Sequence, residues 1–218
     1  MSSTLVIIFL VFGGVLALQF YKGRKLNAML MIHYIRGFEN VLKPKDKDYI
    51  YLGGTVGFKA RYQLQNKFIR DVDLTLTMLP RQSFLWLPFS YVMRGGDRLY
   101  IVVSPKFRVR RDAHLIRRMF HRFGAKIKEE KDLNKENLKV NDAEFIALYK
   151  EKSDVLNLLK LLENSFDLKR VGQVSLNFEN NTIYCIVKPD PQKTPRELEK
   201  FLENLPKTFE NWTYFSEE

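Results

Sequence analysis

The sequence predicts an α+β protein: an N-terminal transmembrane helix followed by a cytoplasmic domain with a largely antiparallel sheet and packed helices. Three observations carry that prediction. The first twenty-one residues hold no charged side chain. Two stretches, 56–64 and 72–78, alternate apolar and polar residues at the two-residue period of a half-buried strand. Helical spacing recurs before, between and after the strands, and consecutive hairpins point to an antiparallel sheet.

The opening run, Ser2 to Tyr21, joins Leu5–Phe12 to Val15–Phe20 through Gly13 and Gly14. At about 1.5 Å per helical residue it is long enough to cross a hydrocarbon core of roughly 30 Å. A cleaved signal peptide would carry a basic n-region, and no Lys or Arg precedes the run, although Val15 and Ala17 stand where a small-residue cleavage site would. A buried core helix would not need to be apolar all round until Gln19. A permanent single span is the expectation. Lys22, Arg24 and Lys25 crowd its C-terminal side, so the positive-inside rule leaves the N-terminus outside and the remainder in the cytoplasm. The single cysteine, Cys185, agrees with a reducing compartment and excludes an intrachain disulfide.

After the span, Leu26, Met29, Leu30, Ile32, His33 and Phe38 recur at helical spacing, with Gly23 offering a bend and Lys43-Pro44 a stop. Lys45–Asp48 reads as a solvated turn. Strands at 56–64 and 72–78 flank a hairpin at 65–67. Phe84–Pro88 reads as a short strand, a loop on the core, or a membrane-surface contact. Gly95-Gly96-Asp97 is a turn before a strand at 98–104. Asp112 is expected to cap a helix with Leu115, Ile116, Met119, Phe120 and Phe123 on one face, ended by Gly124. A short strand at 125–128 and a charged linker follow. Then come a short helix at 142–149, a second capped by Ser153 or Asp154, and a hairpin, 171–178 with 182–188, turning at Asn180-Asn181. The last helix opens with a capping box, Thr194 at N-cap, Pro195 at N1 and Glu197 at N3. Trp212 and Phe215 are expected to fold back onto the body. The predicted organisation is an anchor (1–21), a juxtamembrane helix (22–44), a β-rich subdomain with a basic helix (45–126), a charged linker (127–141) and a helix–hairpin–helix subdomain (142–218).

The net charge of +11 is unevenly spread. Between Ser104 and Lys126 stand Lys106, Arg108, Arg110, Arg111, Arg117, Arg118, Arg122 and Lys126, against Asp112 alone. Such clustering raises the folding cost through repulsion, and an ordinary solvated face explains it less well than a polyanion partner. Anionic lipid headgroups and the phosphates of structured RNA both fit, and the abundance of Arg over Lys leans toward bidentate phosphate contacts.

Catalytic chemistry has little to stand on. His33, His114 and His121 lack a metal-binding motif or a third ligand. Gly53-Gly54-Thr55-Val-Gly57 leads into a strand without a following Gly-Lys-Ser/Thr, so it reads as a turn rather than a phosphate cradle. No enzyme activity, cofactor or metal is expected.

Two short stretches, Phe20-Tyr-Lys-Gly-Arg-Lys-Leu-Asn27 and Leu79-Pro-Arg-Gln-Ser-Phe-Leu85, together with the helix-to-hairpin order through Leu162 and Val187, resemble the calumin family of single-span membrane proteins. That family's acidic segment before the membrane helix and its basic coiled-coil tail have no counterpart in this sequence. The resemblance implies a non-enzymatic factor working beside the protein-conducting channel and the ribosome during insertion of multi-spanning proteins. The expected partners are the bilayer, ribosomal RNA, the channel and other membrane proteins. The alternative is a membrane-surface adaptor for anionic lipid or partner proteins, with no link to translation.

Overall fold

Helix α1 (Ser3–Leu42) is unbroken over forty residues. In this computed structural model, which describes residues 3–118, 120, 132–140 and 142–209, its two halves differ in kind. The first half has a mean hydropathy of 2.3 over an 18-residue window, none of it buried, and is long and apolar enough to cross a membrane. That exposure overturns the core-helix reading. The second half buries Gly23, Asn27, Met31, Tyr34 and Phe38 against the domain. Of the residues that recur at helical spacing, Phe38 is buried, whereas Leu26, Met29 and Ile32 are about half exposed. The inner face is chosen by a close approach: a Cβ on Gly23 would lie 2.1 Å from the Arg81 carbonyl oxygen. Gly23 is thus a contact point and not a bend. Lys43, at φ +43°, and Pro44 end the helix as expected.

The domain is one nine-stranded sheet in the order β1-β2-β3-β4-β9-β8-β5-β7-β6. Its strands are β1 (Asp46–Tyr51), β2 (Gly57–Gln63), β3 (Ile69–Thr77), β4 (Arg98–Pro105), β5 (Ala113–Arg117), β6 (Asn134–Val140), β7 (Ala143–Tyr149), β8 (Val171–Asn177) and β9 (Thr182–Val187). Every neighbouring pair is antiparallel. Segments 45–126 and 142–218 interleave in this sheet, because β4 pairs with β9, Leu99 opposite Val187 and Val103 opposite Ile183.

Four elements differ from expectation, each for a physical reason. Asp46–Tyr51 is an edge strand and not a turn; its charges are what an exposed sheet edge tolerates. The same holds for β6 at the opposite edge, drawn from the charged linker. Asp112 opens no helix. Residues 113–117 form a strand buried on both faces, with Ala113 and Leu115 in the main core and Ile116 in a smaller cluster with Ile146 and Leu148. Such a run has no polar side to mark its period. The 142–149 helix is likewise strand β7. His121, Arg122, Phe123, Gly124, the expected strand at 125–128, Trp212 and Phe215 lie outside the described residues.

Helix α2 (Trp86–Arg94) occupies the segment expected to be a strand, a loop or a membrane contact. Helices α3 (Lys152–Ser165) and α4 (Thr194–Thr208) join the second half of α1 over the main core, where Phe166 and Phe201 sit 5.4 Å apart. The capping box on α4 does not form. The Thr194 hydroxyl accepts from the Asp190 amide at 2.7 Å and from Arg170 at 3.2 Å, and Glu197 pairs with Arg170.

Gly23→Ala places a methyl group against a backbone carbonyl that has little room to move. It is expected to cost about 1–3 kcal/mol, a fall of roughly 3–10 °C in Tm. Thermal melts of the detergent-solubilised chain check this, with Gly13→Ala, where nothing lies within 4 Å, as the neutral control.

Candidate functional site

Three surfaces are placed by the junction between α1 and the loop after β3. Asn27 is fully buried; its amide nitrogen donates to the Leu79 carbonyl at 2.9 Å and its oxygen accepts from Arg81 at 2.9 Å. Arg81 forks onto Asp97, 3.1 Å to Oδ1 and 2.8 Å to Oδ2, while Asp97 also accepts the Leu79 amide at 2.7 Å. One helical turn before Gly23, the Gln19 side chain donates to the Arg81 carbonyl at 3.1 Å. Ion pairing and hydrogen bonding together offset the cost of taking these groups from water. The stretches 20–27 and 79–85 therefore meet here, Gly23 and Asn27 from one against Leu79 and Arg81 from the other.

The second surface is α2 and the residues just before it. Trp86, Phe89, Tyr91, Val92 and Met93 are all more than half exposed. A groove of about 660 Å³ runs between Gln19 of the span helix and Leu85, Leu87, Pro88, Tyr91 and Val92. The spacing of Trp86, Phe89 and Met93 was a helical signal in the sequence. Pro88 masked it, since proline is tolerated in a first turn and breaks helices elsewhere.

The third surface is the basic segment, which the fold divides. Phe107 and Val109 are fully buried, so Arg108 and Arg110 are thrown outward and Lys106 is half-buried. The Asn181 side chain holds this stretch to the β8–β9 turn, accepting from the Val109 amide at 2.7 Å and donating to the Phe107 carbonyl at 3.2 Å. The Arg108 guanidinium lies 5.7 Å from the centre of the Phe178 ring. Arg117, the last residue of β5, and Arg118, just past it, are separated from Arg111 by about 20 Å of extended chain.

Several of the expected polyanion ligands have structural work. Arg111 pairs with Glu151 and, at 2.9 Å, with the buried Asp154. Burial pushes the Asp154 carboxyl above its ordinary pKa, and the Arg111 hydrogen bond and charge pull against that rise. Arg118 pairs with Glu144 at 3.2 Å on an exposed face, and Arg117 donates to the Lys169 carbonyl. Arg122 and Lys126 lie outside the described residues. Lys22, Arg24 and Lys25 are exposed around α1.

The height of the outward basic residues follows from the strands. The Leu79–Arg81–Asp97 junction sits beside the start of β4, and Lys106 follows its end. From the first to the last of its eight residues β4 covers about 23 Å, at roughly 3.3 Å per step. Helix α1 runs the same way: it passes Arg81 at Gly23, and the chain beyond its end, at Lys45, donates to the Gln63 carbonyl at the far end of β2. Arg108 and Arg110 thus stand at the end of the sheet away from the apolar half of α1.

The remaining glycine, histidine and cysteine candidates are placed as follows. Gly53 and Gly54, at φ +49° and +56°, make the β1–β2 turn. His33 Nε2 lies 3.2 Å from the Pro191 carbonyl oxygen. His114 is buried beside a polar hollow of about 560 Å³ that Gln173, Ser175 and Tyr184 also line, and burial holds its pKa below the ordinary value against the opposing charge of Asp112. Burial likewise pushes the Cys185 thiol up. Among the described residues no His, Cys, Asp and Glu cluster suits a metal ion. No protein-family model matches the chain, and no curated protein matches it.

Arg111→Ala removes the counter-charge from a buried carboxyl, and is expected to cost about 1–3 kcal/mol. Arg118→Ala breaks only an exposed pair and is expected to change stability by less than about 1 kcal/mol. Thermal or denaturant melts compare the two.

Proposed function

We propose that this chain is a non-enzymatic, single-span accessory factor in membrane-protein biogenesis. Its domain lies on the cytoplasmic side, beside the protein-conducting channel and the ribosome. Lys106, Arg108 and Arg110 meet ribosomal RNA. The observation that carries this reading is the separation of the two ends of the domain. The outward basic residues stand about 23 Å along β4 from the junction that marks the membrane side. The Debye length at physiological ionic strength is about 8 Å, so headgroup charge is screened at that height. A polyanion beyond the domain fits better than the bilayer.

The calumin resemblance supplies the link to translation, and the contact of Gly23 and Asn27 with Arg81 gives its two stretches a shared physical reason. Orientation follows from the exposed collar of Lys22, Arg24 and Lys25 under the positive-inside rule. The same collar favours a second reading, an adaptor held on anionic lipid without a ribosome partner, each cation near the surface adding about 1 kcal/mol.

Co-sedimentation of the detergent-solubilised chain with ribosomes over a salt series separates the readings. Binding is expected to fall steeply with salt. The Lys106→Glu, Arg108→Glu, Arg110→Glu triple variant is expected to lose it, flattening the log–log salt slope by about 2–3. Undiminished ribosome binding by the triple variant contradicts the assignment. Binding to anionic vesicles alone favours the adaptor.

A further inference from the structure

Helix α2 contributes no buried residue to the domain. Val92 is 82 % exposed, Leu85 79 %, Met93 62 % and Trp86 61 %. A contiguous apolar surface of this kind on a folded domain marks a contact site. It is also held firmly in place. Before the helix stands the Arg81–Asp97 pair, and at its last residue Arg94 donates to the Thr77 hydroxyl at 2.6 Å. Gly95, at φ +69°, closes the C-terminus with its amide on the Tyr91 carbonyl at 2.8 Å. The apolar face is therefore presented outward by ties at both ends.

Its position beside α1 identifies the occupant. The groove between the two helices is walled by Gln19, which lies one helical turn from Lys22 and about 8 Å along the axis from Arg24. That cationic collar belongs at the headgroup level, where Lys and Arg meet lipid phosphates and Trp and Tyr rings settle. Phe20 packs edge-to-face on Tyr21 at 5.7 Å, and Trp86 on Phe89 at 5.6 Å, so each of the two helices carries an exposed aromatic pair. Gln19 of α1 and Leu85, Leu87, Pro88, Tyr91 and Val92 line that groove together.

We propose that α2 is a second membrane contact: an interfacial helix laid into the leaflet nearest the Lys22–Lys25 collar, with acyl chains filling the groove against Gln19. This rests on reading the first half of α1 as a membrane span. The contact is apolar, so it operates on neutral lipid and is insensitive to salt, unlike the distal arginines. With a span and an interfacial helix joined through one junction, the domain has a fixed tilt on the bilayer rather than a swivel.

Tryptophan fluorescence of the full chain tests this directly. Trp86 and Trp212 are the two tryptophans, and Trp212→Phe leaves Trp86 as the sole reporter. The variant is reconstituted into neutral phosphatidylcholine vesicles, with and without bromine on the acyl chains, after alkaline carbonate extraction has shown it to be integral. Quenching of Trp86 by brominated lipid with shielding from aqueous acrylamide is the expected result. Acrylamide quenching without bromine quenching overturns the proposal while leaving the span intact. Shielding from both quenchers also overturns it, because protein then covers the helix. Release by carbonate overturns the span reading itself, and the proposal with it.

Discussion

A glycine without a side chain and an asparagine without solvent hold this molecule together. Gly23 lets the backbone at Arg81 approach the long helix closely, and buried Asn27 bonds both the Leu79 carbonyl and the Arg81 guanidinium. Asp97 then balances the arginine. An unpaired Asn27 or Asp97 at this depth would oppose folding, so the contacts form together or fail together. They also determine how the apolar half of α1 leaves the domain. The direction of the strands, the place of α2 and the height of the basic segment follow from that exit.

The consequence is a domain with two chemically distinct ends. Near the junction the surface is apolar and aromatic, ringed by Lys22, Arg24 and Lys25. At the far end of β4 it is cationic, with Arg108 and Arg110 held outward by the buried Phe107 and Val109. Burial and charge attract different partners, and a separation of several Debye lengths lets each act without the other. Asp154 and Glu144 draw Arg111 and Arg118 into ion pairs, which narrows the cationic surface further.

Much of this was legible in the sequence where one face of an element is wet. The apolar half of α1, the stop at Lys43-Pro44, strands β2, β3 and β4, the β8–β9 hairpin and helices α3 and α4 were all readable. Legibility failed where both faces are covered or where the edge is exposed. Leu115 and Ile116 fit a helix as well as a doubly buried strand, and β1 and β6 hide their strand character under the charges that protect a sheet edge. The basic segment was visible as a charge run. Its division by β5, and the loss of Arg111 to Asp154, depend on pairings remote in sequence. Nothing local in the stretches 20–27 and 79–85 revealed that Asn27 and Arg81 would touch.

The central claim is that the junction holds the cationic end away from the bilayer, and its most direct test is a depth measurement. A spin label is introduced by Arg108→Cys, with Arg24→Cys as the membrane-side reference; Cys185 is buried and does not compete. The full chain is placed in nanodiscs whose lipids carry a relaxation agent on their headgroups. The label at position 24 is expected to relax strongly and the label at position 108 to behave as in water, about 20 Å or more from the headgroups. Equal relaxation at the two positions would mean that the domain lies down on the bilayer, and would contradict the account.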